Sequence, residues 1–337
     1  MSRKPVVAIN IPAGTLKQIM SDATRATLDR EFETRWHAAD EKLTEDSVAA
    51  LAQNADAIMT GWGAQKITPK ILDAAPGLKI VSHSAGTVKG LVCDELWSRG
   101  ITVTSCAPEI AIDVAQYTVG LMAVGIKNVL ELVPATKAGA WWKRPEHLRP
   151  PNDLRGSTVG VISASQVGRN TLRILQAYDV QALLFDPFVT AEQARAMGAE
   201  KVELEDLFRR SDLITIHAPS LPATRHMVNA KMLGLMKDHA GLINTSRGTM
   251  VDEAALVAEL QKGRGVWAIL DVTDPEPPPP GSALYSCPNL YLTPHIAGSV
   301  GRGRLRLGQA AYEEIRRVLA GDAPKFNVTE KMLATMA

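Results

Sequence analysis

The sequence predicts an α/β protein made of two doubly wound parallel-sheet domains, and three observations lead there. Apolar runs of strand length alternate with longer amphipathic segments along most of the chain, as parallel strands with helical crossovers require. The 337 residues exceed what one core of ordinary size holds, so about two domains are expected. A long apolar helical stretch from Pro108 interrupts the alternation, which then starts afresh. The predicted division places 1–107 with 300–337 in one domain and 108–299 in the other, because a closing helix of that length can return to the first domain. Two domains leave a cleft, where small ligands are most often held.

In the first hundred residues the strand candidates are Val6–Asn10, Ala57–Gly61, Lys79–His83 and Ile101–Thr104. Between them, Thr44 precedes acidic residues at the start of TEDSVAALAQ, and TPKILDAAPG stops at Pro76 and Gly77, so both read as short helices. After the third strand comes HSAGTVKGLV, whose small residues leave the backbone open to close approach by an anion; an ordinary strand-to-helix turn fits the same residues equally well. APEIAIDVAQYTVGLMAVGIKNVLELVPATKAG then reads as one continuous helix, apolar on more than one face and therefore buried between layers. Trp141, Trp142 and a proline-bounded polar segment lead into the second domain. Trp62, between two glycines, and Trp141 are either packing residues or walls of a small pocket.

Composition narrows the function. Lys and Arg number 37 against 36 Asp and Glu, without a run of either sign, which argues against a nucleic-acid face. The most apolar run, about Val114 to Ile126, holds Gln116 and ends at Lys127, so neither a membrane span nor a signal peptide is expected. Cys93, Cys106 and Cys287 are widely spaced with no metal-ligand pattern; they read as reduced thiols of a cytoplasmic protein, and no metal is expected.

STVGVISASQVGRNTLRILQAYDVQALLFDP has the order strand, small-residue turn, helix, strand, terminal acid. Such a unit binds a dinucleotide. Its turn admits the pyrophosphate to the helix N-terminus, and the acid, Asp186, accepts from the ribose hydroxyls. The glycine pattern G-x-G-x-x-G stands here as Ser163-Ala164-Ser165-Gln166-Val167-Gly168, with only the third glycine kept. Each serine adds a Cβ where the backbone should approach phosphate, and each also offers a hydroxyl donor. Asp186, with no arginine beside it, favours NAD over NADP. His217, at the end of a later strand, is a candidate for the adenine pocket, although a lone histidine there is more often structural.

The stretch Gly241–Ser299 carries the chemistry. It runs GLINTSRGTMVDEAAL, VWAILDVTDPEPPPP and NLYLTPHIAGS, placing Arg247, Glu276 and His295 after successive predicted strands. An acid that works near neutral pH, a carboxylate to orient it and a cation for an anionic substrate are the minimum set for reducing a 2-keto acid.

These segments, in this order, with GLKIVSHSAG, VAQYTVGLM, LRGSTVGVI and HAPSLPATRH before them, resemble the D-isomer-specific 2-hydroxyacid dehydrogenases along nearly the whole chain. The resemblance implies a Rossmann-type NAD-binding domain, a flavodoxin-like substrate domain, and interconversion of a small 2-keto acid with its D-2-hydroxy acid. It implies His295 as acid/base, Glu276 as its partner, and Arg247 on the substrate carboxylate together with backbone N–H groups of Ala85, Gly86 and Thr87. For the cofactor it implies Ser165, Gln166, Val167, Gly168 and Asp186, then His217, Ala218, Pro219 and Thr224, and finally Thr245, Ser246, Asp271 and Gly298. The substrate turn departs from the family's Gly-Val-Gly-x-Asp, reading Ala85-Gly86-Thr87-Val88-Lys89. A homodimer formed through the nucleotide domain is also implied. The rival reading is a dehydrogenase-like protein that senses a dinucleotide with little or no catalysis. Among enzymes, a phosphite or formate dehydrogenase is the nearest alternative, and Glu276 stands where formate enzymes carry glutamine.

Overall fold

The computed structural model describes residues 3–38, 42–141 and 148–336. Trp142 and the start of the proline-bounded segment lie outside the described residues. The chain forms two compact units, one of Met1–Ile110 with Ser299–Ala337 and one of Ala111–Gly298.

Unit one is built on β1 (Val6–Asn10), β2 (Glu33–Arg35), β3 (Ala57–Thr60), β4 (Ile80–His83) and β5 (Thr102–Ser105). They are parallel in the order β2, β1, β3, β4, β5, and a short antiparallel strand, Asn327–Val328, closes the β5 edge. That order is the flavodoxin-like one. Every residue of β1, β3 and β4 is buried, as a sheet covered on both faces demands. Alternate residues divide between the faces: Val6, Ala8, Ile58 and Val81 pack with Val48, Ile71 and Leu96, while Val7, Ile9, Met59 and Ile80 pack with Leu28, Leu307 and Ile315. The closing helix, Arg302–Leu319, therefore covers the second face of this sheet. Thr44 caps the helix Glu45–Leu51 through a reciprocal pair with Ser47.

Unit two contains β6 (Thr158–Ile162), β7 (Gln181–Phe185), β8 (Glu200–Lys201), β9 (Leu213–Ile216), β10 (Gly241–Asn244), β11 (Trp267–Leu270) and β12 (Leu290–Leu292). All are parallel, in the order β8, β7, β6, β9, β10, β11, β12. The chain starts at β6, winds outward to β8, then returns to β9 and winds the other way. This reversal beside β6 is the Rossmann switch point, where ligands lie beyond the strands' carboxyl ends. Trp267 anchors one face. Its indole fills the space left by Gly125 and Gly241, where an added Cβ would come within 2.2 Å of the ring at either position, and the Arg149 guanidinium lies 4.9 Å from the ring centroid.

The stretch after Cys106 is not one helix. It forms Ala107–Ile126, breaks at Asn128, and resumes as Val129–Lys137. Asn128 sits in the left-handed region at φ 54, which asparagine tolerates better than most residues, and its Nδ2 donates to Glu131 Oε2 and to the Arg149 carbonyl, both at 2.7 Å. The buried Arg149 side chain donates to the carbonyls of Gly125 and Ile126, satisfying acceptors that a helix end leaves open. By length and composition alone Ala107–Ile126 would suit a membrane span; in the fold its Val119, Met122 and Ile126 belong to the core around Trp267.

Candidate active site

The site in unit two is assembled at the carboxyl ends of β6, β9, β10, β11 and β12. After β10 the chain turns sharply, and the buried side chain of Asn244 closes the turn: its Oδ1 accepts from Ser246 N–H at 3.0 Å and its Nδ2 donates to the Arg247 carbonyl at 2.8 Å. Thr245 Oγ1 bonds Thr118 Oγ1 at 2.8 Å, and Ser246 Oγ donates to the Ala218 carbonyl at 2.5 Å. Arg247 is thus held on a backbone with little freedom. Burial pushes its guanidinium down from the ordinary arginine value, opposed by the nearby Glu276 carboxylate. A cation in that position gains from an anionic ligand that takes its N–H donors.

The loop carrying Glu276 rests on this turn. A Cβ on Gly248 would lie 2.0 Å from the Thr273 carbonyl carbon and 2.5 Å from Asp274 N, so the two backbones meet where only glycine fits. Asp274 N–H donates to Glu253 Oε1 at 2.8 Å, and burial pushes the Glu253 carboxyl up. The peptide bonds Asp274–Pro275 and Glu276–Pro277 are cis. Gly248→Ala is expected to separate the Arg247 and Glu276 loops, lowering kcat/KM by about tenfold or more, as displacing positioned groups by an ångström does. Circular dichroism should stay native; unchanged kinetics in a folded variant would refute the role given to this contact.

His295 follows β12. Its Nδ1 stands 2.6 Å from Glu276 Oε1. Since an ionised carboxylate only accepts, Nδ1 carries the hydrogen and Nε2 remains for a reacting group. Both side chains are roughly half exposed, which screens the charge interaction, so the contact acts chiefly by orienting the ring. His295 adopts φ 52, and its N–H donates to the carbonyls of Asp271 and Thr293, each at 3.0 Å.

Asp271 organises that loop. Its buried carboxylate accepts from Thr293 Oγ1 at 2.6 Å, Ile296 N–H at 2.9 Å and Ala297 N–H at 2.8 Å. These bonds pin the segment on which His295 and Gly298 sit. Tyr117, from the helix Ala107–Ile126, is half-buried, and burial raises its phenol above the ordinary value.

The nucleotide turn shows how a serine replaces a glycine. Ser163 takes φ 78, a conformation that favours glycine, and its Oγ donates to Asp186 Oδ2 at 3.3 Å, while Ala164 N–H donates to the same oxygen at 2.8 Å. Phe188 N–H donates to Asp186 Oδ1 at 2.8 Å. A carboxylate has about four lone-pair sites, so this buried group retains room for a further donor. Ser165 caps the helix Gln166–Leu175 by accepting from Gly168 N–H at 3.3 Å. Gly168 could carry no side chain, since its Cβ would lie 2.0 Å from the Ser163 carbonyl oxygen. Among the described residues nothing accepts from the N–H groups of Gln166 and Val167.

His217 follows β9. It is buried, its Nε2 lies 3.1 Å from Thr215 Oγ1 and 3.3 Å from Thr171 Oγ1, and burial pushes its pKa down to about 3. Its Nδ1 has no partner among the described residues. The histidine is a neutral core residue because two hydroxyls and strand packing enclose it. Thr224 closes the next loop, with its Oγ1 donating to the Pro219 carbonyl at 2.7 Å and accepting from Leu221 N–H at 2.9 Å.

In unit one, the residues after β4 form a loop rather than leading straight into a helix; the next helix begins only at Asp94. Ala85 is buried, Gly86 half-buried and Thr87 exposed. Ser105 Oγ donates to the carbonyls of Ala85, at 3.2 Å, and of Gly86. In a planar trans peptide the N–H points opposite the C=O, so the N–H groups of Gly86 and Thr87 are turned away from Ser105. No acceptor among the described residues takes the N–H of Ala85, Gly86 or Thr87. Asn244, Ser105 and Tyr117 escaped the sequence reading. Asn244 alone left a signal, in the Asn-Thr-Ser-Arg-Gly run of a strand end.

Residues 119–297 match the family model for the D-isomer specific 2-hydroxyacid dehydrogenase, NAD binding domain. The chain belongs to this family. This dehydrogenase-family chain is 34% identical to the glyoxylate reductase of Thermofilum pendens over 271 residues, covering 80% of each chain. It is 30% identical to the D-3-phosphoglycerate dehydrogenase of Methanocaldococcus jannaschii over 282 residues, covering 83% of this chain but 53% of that protein, so it spans about half the length of that relative. In fold it matches a phosphoglycerate oxidoreductase from Rhizobium etli with a TM-score of 0.82 at 23% identity, covering 97% of this chain and 99% of that one.

Proposed function

We propose that this family member is an NAD(H)-dependent reductase of a small 2-keto acid, forming the D-2-hydroxy acid. The observation that carries the reading is the 2.6 Å contact between His295 Nδ1 and Glu276 Oε1, on a rim shared with the desolvated Arg247. A nicotinamide dinucleotide supplies the hydride when bound. The residues fit it: the open N–H groups of Gln166 and Val167 suit a pyrophosphate, the Ser165 hydroxyl proton remains available, and Asp186 can accept once more, from a ribose hydroxyl. Its negative charge disfavours a 2′-phosphate, hence NAD over NADP.

Arg247 pairs the substrate carboxylate and polarises the keto oxygen, and His295 Nε2–H delivers the proton to that oxygen. Glu276 holds the ring in register. Within unit one, taken by itself, the open N–H groups of Ala85, Gly86 and Thr87 suit an anionic oxygen. The contribution of His217, Ala218, Pro219 and Thr224 to the cofactor is through loop backbone, and Asp271 acts by holding the 293–297 loop. We place the enzyme in the cytoplasm as a homodimer.

Titration with NADH and NADPH, followed by glyoxylate, hydroxypyruvate and pyruvate, tests the reading. NADH is expected to bind about tenfold or more tighter than NADPH, as one repelled charge near a phosphate implies, with turnover of at least one keto acid. NADH binding without turnover would favour the sensing reading, which the serines at positions 163 and 165 motivate; failure to bind either cofactor would end the enzymatic one.

A further inference from the structure

The loop that carries Glu276 has few means of holding its own shape. Five of the seven residues from Asp274 to Pro280 are proline, which has no N–H to donate. None of the seven is buried. Among the described residues, Asp274 is the only one of them whose N–H finds a partner. The Gly248 contact seats the loop's start at Thr273 and Asp274 and reaches no further. The carboxylate that stands 2.6 Å from His295 Nδ1 therefore depends on side chains from outside the loop.

Two such side chains reach it, each from an element anchored in the same core. Glu253 opens the helix Glu253–Leu260, which Asp252 caps by accepting from Ala255 N–H at 3.0 Å and which Leu256 and Leu260 bury. Its Oε1 accepts from Asp274 N–H at 2.8 Å, two residues before Glu276. Tyr285 ends the short turn Ala283–Tyr285, whose Leu284 packs in that core. Its ring is exposed, yet its hydroxyl donates to the Pro278 carbonyl at 2.9 Å, two residues after Glu276. The pair of Arg225 with Asp274, at 3.2 Å, is solvent-exposed and adds little.

We infer that Glu253 and Tyr285 are positioning residues for the acid/base pair, gripping the loop on either side of Glu276 so that its carboxylate meets His295 Nδ1. Neither touches a reacting atom. What they fix is the tautomer: with Glu276 in place the neutral ring keeps its hydrogen on Nδ1 and leaves Nε2 for chemistry, and without that acceptor the hydrogen moves to Nε2. The inference deepens the keto-acid reading and rests on it for the kinetic half of its test.

Long-range 1H–15N NMR of the full chain labelled with 15N-histidine, at a pH where the ring is neutral, reads which nitrogen of His295 carries the hydrogen; the His295→Ala spectrum assigns the signal. The unmodified chain should show Nδ1–H. Glu253→Ala and Tyr285→Phe should move the ring toward Nε2–H, as Glu276→Ala does, while Glu253→Gln keeps Nδ1–H because its amide oxygen still accepts from Asp274. With NADH and the best keto acid, Glu253→Ala should lower kcat by about tenfold, as misplacing a catalytic group does, with KM and NADH affinity within about twofold. In the Glu276→Ala background the same substitution should cost nothing more, since its effect passes through that carboxylate. Nδ1–H retained in folded Glu253→Ala and Tyr285→Phe chains, or the full tenfold loss repeated without Glu276, overturns the inference. Should Glu253→Ala fail to fold, Tyr285→Phe, at an exposed ring, decides it by the same signal. If the unmodified chain turns over no keto acid, that reading fails, and the His295 tautomer alone decides this one.

Discussion

His295→Ala is expected to lower kcat by about 10²–10⁴-fold, the range that a positioned acid contributes, while NADH affinity changes by no more than about twofold. The ring is held from two sides: Glu276 takes Nδ1–H at 2.6 Å, and the backbone N–H is tied to the Asp271 and Thr293 carbonyls. Only Nε2 is left for chemistry. Alanine removes that donor but keeps the loop, because Asp271 grips Thr293, Ile296 and Ala297 through groups the substitution does not touch. The side chain is exposed, so its loss opens no core cavity. Stopped-flow turnover with fluorescence titration of NADH checks both halves. A variant that loses cofactor binding and turnover together would show that His295 supports the fold of the site and is not its acid.

Arg247→Ala is expected to reduce kcat/KM on the order of 10³-fold, the loss of two charge-assisted hydrogen bonds to the substrate carboxylate. Most of it should appear in KM. The Asn244 staple to the Arg247 carbonyl survives the substitution, so the turn and the Gly248 contact with the next loop remain. Arg247→Lys should recover only part, because an ammonium cannot give the paired geometry of a guanidinium. Steady-state kinetics on the best keto acid decides it: if lysine restores full activity, Arg247 acts as a simple charge, and if alanine leaves KM unchanged, it does not bind the substrate.

The parallel α/β architecture and the strands that precede Arg247, Glu276 and His295 were legible in the sequence. Apolar runs and turn residues are local signals, and parallel strands buried on both faces write them strongly. That Arg247, Glu276 and His295 come after those runs was legible too, and the structure brings His295 Nδ1 within 2.6 Å of Glu276 Oε1.

What only the tertiary structure decided depends on partners far apart in the chain. The long helix breaks at Asn128, where Arg149, 21 residues on, and Asn152 donate to the Gly125 and Ile126 carbonyls that would have continued it. His217 is enclosed by Thr171, 46 residues away, which no pattern around the histidine reveals. Asp186 accepts from the turn 22 and 23 residues earlier, and the same contact lets Ser163 occupy a conformation that favours glycine. Ser105 aims the amides after β4 from the neighbouring strand. The chain alone determined which elements form and in what order, since helix and strand periods act over a few residues. Which hydrogen-bonding groups are consumed and which stay open was set by packing, because burial forces each polar group to find a partner wherever the fold supplies one.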